Sequence, residues 1–91
     1  MRKLTALIVA ATVLLPVSIA QAGGLGRPCT TEPQAKWLTL EALQGKVEAI
    51  GYKVKKGKIK NACGELYATD KAGKQVELFV DPTSGAIVGQ Q

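Results

Sequence analysis

An α+β fold, one main α-helix packed on a three- to four-stranded antiparallel sheet in α-β-β-β order with one disulfide, is what this sequence predicts. Three observations predict it. Apolar residues recur at three- and four-residue spacing between Leu40 and Ile50, then switch to two-residue spacing from Tyr52 onward. Glycine- and proline-bearing turns divide the second half into short strands. Two cysteines, Cys29 and Cys63, stand on either side of the helical stretch.

The chain opens with Met1-Arg2-Lys3, runs almost uncharged from Leu4 to Ala20 and reaches the small-x-small sequence Ala20-Gln21-Ala22. That order predicts a secretory signal peptide over residues 1–22. A membrane-spanning helix needs about 20 apolar residues, whereas this run is shorter and broken by Pro16. Lipid anchoring is not expected either, because Cys29 follows Gly26-Arg27-Pro28 and not a Leu-small-small stretch. The expected product is a soluble exported chain, with the periplasm as its compartment ahead of the external medium. Any membrane contact is peripheral.

Export decides how the cysteines are read. Thiols oxidise outside the cytoplasm, and a domain of roughly 70 residues buries too little surface to be comfortably stable without a staple. Cys29 and Cys63 are therefore expected to form one bridge, worth about 3–4 kcal/mol in lost denatured-chain entropy. A redox pair would take Cys-x-x-Cys spacing, and a metal site would need two more soft ligands. The sequence has neither arrangement.

Residues 23–36 are rich in glycine and proline and read as an irregular arm tied down by the bridge, with a short extra turn at Pro33 to Lys36. The domain proper is 37–91. Leu40, Leu43, Val47 and Ile50 line one helix face, while Glu41, Gln44, Lys46 and Glu48 occupy the others. Thr39 is the expected N-cap, and Leu38 and Leu43 have the hydrophobic-staple spacing. Gly51 provides the left-handed stop.

The first strand alternates only if it contains one extra residue. A bulge at Lys56 places Tyr52, Val54, Gly57 and Ile59 on the buried face and Lys53, Lys55, Lys58 and Lys60 in water. Asn61-Ala62 turns the chain into a second strand, Cys63 to Asp70, and Lys71-Ala72-Gly73 leads to a third, Lys74 to Asp81. In that register Leu66 faces Leu78 and Ala68 faces Val76 on the helix side. Tyr67 faces Glu77 and Glu65 faces Phe79 on the other side. Asp81-Pro82-Thr83-Ser84-Gly85 is a turn before a short terminal strand, Ala86 to Gly89. The same parity puts Cys63 on the side away from the helix, so the arm must reach the sheet edge or its outer face.

The segments Trp37-Leu38-Thr39, Gly51-Tyr52-Lys53-Val54, Cys63-Gly64-Glu65-Leu66 and Val76-Glu77-Leu78-Phe79-Val80-Asp81-Pro82-Thr83-Ser84-Gly85 resemble the PepSY-like small secreted proteins. The resemblance spans Cys29 to Val88. Similar domains occur in propeptides of secreted metallopeptidases, which implies a role in restraining or chaperoning a peptidase. Gly64 departs from the aromatic residue that usually precedes the Glu.

The residues themselves bring little chemistry. The sequence has no His. Of its 12 Lys and Arg, Arg2 and Lys3 fall in the leader, leaving 10 against 7 acids and a net charge of +3 on the mature chain. That balance, in an exported chain, does not suit nucleic acid. Glu65 and Glu77 on an open sheet face have no enclosure to push their pKa values apart, so they read as solvated strand residues, not a catalytic pair. Thr83 and Ser84 have no base near them in the sequence. Neither a cofactor nor a metal is expected. Tyr67 and Phe79, with Glu65 and Glu77, form a candidate surface for a protein partner unless the arm covers them. Lys53, Lys55, Lys58 and Lys60 form a candidate anion surface, or simply guard an edge strand against sheet-to-sheet association. The expected function is a non-enzymatic, exported protein-binding module, with peptidase modulation implied by the resemblance. The alternative is an envelope-surface protein that holds anionic lipid or polymer on the Lys53 to Lys60 row.

Overall fold

The structure, a computed structural model, describes residues 24–91; the expected signal peptide lies outside the described residues. A 3₁₀ turn at Gln34–Lys36 leads into helix α1 (Leu40–Ala49). Four strands follow: β1 (Lys53–Lys60), β2 (Cys63–Thr69), β3 (Gln75–Val80) and β4 (Ile87–Gln90). They form one antiparallel sheet in the order β1-β2-β3-β4. The expected α+β architecture is present, with the fourth strand included.

Local chemistry accounts for the boundaries. Thr39 caps α1 as anticipated, its hydroxyl accepting from the Ala42 N–H at 3.1 Å. Gly51 ends the helical passage at φ +113°, which glycine enters without strain. The turn into β3 is organised by Asp70, whose Oδ1 accepts from the N–H groups of Ala72 and Lys74, each at 2.9 Å. Asp81 does the same before β4, accepting from the Thr83 N–H at 2.8 Å and the Thr83 hydroxyl at 2.6 Å.

Helix and sheet bury one core between them. Leu43 and Val47 from α1 meet Leu66, Ala68, Val76, Leu78 and Val80, with Leu38, Leu40, Tyr52, Val54 and Ile87 packed around the rim. Each fully buried Leu or Val contributes about 1.5–3 kcal/mol relative to an exposed one. Gly64 belongs to this packing. A Cβ there would stand 2.6 Å from Val80 Cγ2 and 3.0 Å from Leu43 Cδ1, so the departure from the family's aromatic matches a site with no room for one.

Three expectations need correction. The extra residue in β1 is Lys55, not Lys56: Val54 pairs with Ala68 and Lys56 with Tyr67. That register swings Lys56 onto the outer face, where its Nζ lies 5.1 Å from the Tyr67 ring centroid. Ile50 is the C-cap and not a core residue, 58% exposed because the helix has already ended at Ala49. Ile59 is 38% exposed as well. The helix crosses β1 at Gly57, where Leu40 Cδ1 and Gln44 Nε2 would each be 3.3 Å from an added Cβ, and Ile59 lies two residues beyond that crossing.

Candidate functional site

The outer face of the sheet carries the candidate partner residues Tyr67, Phe79, Glu65 and Glu77. Its rows follow from the register: Lys56 and Lys58 on β1 lie opposite Tyr67 and Glu65 on β2, which lie opposite Glu77 and Phe79 on β3. The expected pairings Tyr67 with Glu77 and Glu65 with Phe79 are present.

The arm covers half of this face. Cys29 and Cys63 form the expected disulfide, with Cα atoms 4.9 Å apart, and the Cys29 N–H donates to the Ala62 carbonyl at 3.3 Å. These contacts draw the segment before Cys29 across the sheet. Leu25 and Val88 each pack against Phe79 and the two cysteines, completing a second, smaller core. Gly89 is what lets Leu25 sit so close, since a Cβ at that position would stand 2.5 Å from Leu25 Cδ1. The sheet is thus apolar on both sides at this end, and Phe79 is 1% exposed.

The candidate partner residues are divided by this cover. Phe79 and Glu65 are buried beneath the arm, while Tyr67 and Glu77 are half-buried and reach solvent. Glu65 is therefore not the solvated strand residue that an open face implies. It is paired across the strands with Lys58, as its position predicts, at 4.0 Å. Burial, and next the neighbouring Glu65 carboxylate, hold the Glu77 carboxyl above its ordinary value, against an opposing hydrogen bond from Tyr67 and the Lys58 charge. Sequence parity puts Glu65 and Glu77 on one face; that the arm comes down over Glu65 is not something strand periodicity encodes.

The candidate anion row remains in solvent: Lys53, Lys55, Lys58 and Lys60 are all exposed. Its charges do not act as one free patch, since Lys58 is drawn to Glu65 and the intervening Lys56 to the Tyr67 ring. The hydroxyls of Thr83 and Ser84 serve the turn: one donates to Asp81 at 2.6 Å and the other accepts from the Ala86 N–H at 3.1 Å. Among the described residues no group of three or more His, Cys, Asp or Glu is arranged to hold a metal ion. No helix among them is long and apolar enough to cross a membrane.

The family described as peptidase propeptide and YPEB domain matches residues 5–91. The chain belongs to the PepSY family. The resemblance drawn from the strand and turn sequences therefore holds over nearly the whole length of this PepSY protein. No curated protein and no solved structure matches it.

Proposed function

We propose that this PepSY protein is a non-enzymatic exported module that binds a protein partner and modulates a peptidase. The partner contacts the uncovered half of the outer face, at Tyr67 and Glu77, together with the adjoining edge of β1. One observation carries this reading: β1 is an eight-residue edge strand, paired only with β2 among the described residues, and it borders the half of the face that the arm leaves open. An edge of that length offers a row of main-chain donors and acceptors to an extended peptide, and an aromatic side chain beside it supplies area for affinity. The family's description as a peptidase propeptide domain supports a peptidase as the source of that segment.

The test uses the purified, oxidised protein against metallopeptidases of the exported fraction, with binding and residual peptidase activity both measured. Tyr67→Ala with Glu77→Gln is expected to weaken binding at least tenfold, whereas raising salt to about 0.5 M leaves most of it. Phe79→Ala is unsuited to the purpose, because it removes a core side chain. Binding to anionic vesicles or polymer that disappears at that salt and survives the Tyr67 and Glu77 changes would instead favour the lysine row of Lys53, Lys55, Lys58 and Lys60.

A further inference from the structure

The free edge of β1 carries more than a row of main-chain groups. The strand reads Lys-Val-Lys-Lys-Gly-Lys-Ile-Lys, and its register with β2 shifts at Lys55. From Lys56 onward the pairing is regular, so the side chains alternate strictly. Lys56, Lys58 and Lys60 stand opposite Tyr67, Glu65 and Cys63 on the outer face, whereas Gly57 and Ile59 stand opposite Leu66 and Gly64 on the helix side. All three lysines are exposed. Ile59, 38% exposed, is with Ile50 one of the large apolar side chains left in solvent among the described residues.

These features restrict what can pair with the edge. A second copy of the chain does not suit it, because antiparallel pairing of two β1 edges would set lysines beside lysines, and like charges opposite one another on a sheet are destabilising. An acid, by contrast, is already seated on this strand. The Val54 N–H donates to Oε2 of Glu48 from α1 at 3.4 Å, so the protein's own carboxylate occupies the start of β1. That leaves the run from Lys56 to Lys60, beyond the bulge. Within it Lys58 is drawn to Glu65 at 4.0 Å, while Lys56 keeps its full charge over the Tyr67 ring. Charges two residues apart, about 7 Å, match the side chains on one face of an added strand.

We propose that the segment added to β1 between Lys56 and Lys60 is acidic and alternating, with carboxylates opposite the lysines on the outer face and an apolar side chain against Ile59 on the helix side. Main-chain pairing and the covering of Ile59 supply the affinity, which salt leaves largely in place, and the lysines select the sequence. Lys56 and Lys60 carry most of the selection, since Lys58 is shared with Glu65. This inference rests on the edge-pairing reading of the proposed function and specifies the chemistry of the partner segment.

Three synthetic peptides test it against the oxidised protein, each alternating apolar residues with Glu, Gln or Lys. At about 0.05 M salt the Glu peptide is expected to bind about tenfold or more tightly than the Lys peptide, with Gln between them, and the gap to shrink below about threefold at about 0.5 M. Lys56→Glu with Lys60→Glu, both changes lying in solvent, is expected to reverse the order, which loss of a structural role would not do. Ile59→Ser is expected to weaken all three peptides by about threefold while keeping their order. If no peptide binds, the edge reading fails and takes the inference with it; if all three bind alike, the edge reading stands and the acidic preference falls. A Glu peptide with its alternation scrambled, or inorganic polyphosphate, binding as tightly as the patterned Glu peptide overturns the inference in favour of a plain anion surface.

Discussion

Glu77 has three influences opposing its ionisation, burial, the charge of the Glu65 carboxylate and a side-chain hydrogen bond with Glu65, and two favouring it, Tyr67 and Lys58; the first three prevail. A carboxyl whose folded-state pKa is raised stabilises fully below its unfolded value, near the 4.5 of an ordinary Glu, and that contribution is lost as pH rises through the folded value. Glu77→Gln is accordingly expected to raise the melting temperature at pH 7 relative to wild type and to leave it little changed at pH 4, as thermal melts at the two pH values would show. Strand parity alone identifies Glu65 and Glu77 as neighbours on the outer face. What it does not encode is the cover over Glu65, because that comes from Gly24, a residue far away in sequence that shows no periodicity of its own.

The β1–β2 hairpin shows how far pattern reaches at the level of one element. Its two turn residues were readable, and both have positive φ, Asn61 at 52° and Ala62 at 60°. Asn tolerates that region; Ala meets a steric cost there of about 1–2 kcal/mol that Gly avoids. Part of the relief is offset by the greater unfolded-state freedom of Gly. Ala62→Gly is expected to stabilise the protein by about 0.5–1 kcal/mol, measurable by denaturant unfolding with an unchanged slope. The need for one extra residue in β1 was equally readable, since without it Ile59 and the lysines exchange faces. Its position was not, because Lys55 and Lys56 are both solvated lysines and apolar alternation cannot tell them apart. The Tyr67 ring, which takes up Lys56, breaks the tie. Ile50 and Ile59 fit the periodicity yet lie outside the core, since period reports direction and not how far the covering element extends.

At the scale of the whole molecule the sheet has helix α1 on one side and the arm on the other, so Leu78, Phe79 and Val80 are buried in succession although they point to alternate faces. The arm belongs to the fold because Cys29 is bonded to Cys63 across 34 residues of sequence. Replacing both cysteines by Ser is expected to cost about 3–4 kcal/mol in urea unfolding. It is also expected to increase exposure of the Leu25–Phe79 contact, which binding of a hydrophobic dye would report. Cysteine number and export context were sufficient to anticipate the bridge, and parity placed Cys63 away from the helix. Whether the arm ran along the edge or over the face depended on the seat that Gly89 makes for Leu25, a complementarity between opposite ends of the chain.

That contact has a practical corollary. Leu25, near the start of the described chain, rests on the last strand within a few residues of Gln91. Removing Leu25 is therefore expected to loosen β4, and trimming β4 to release the arm.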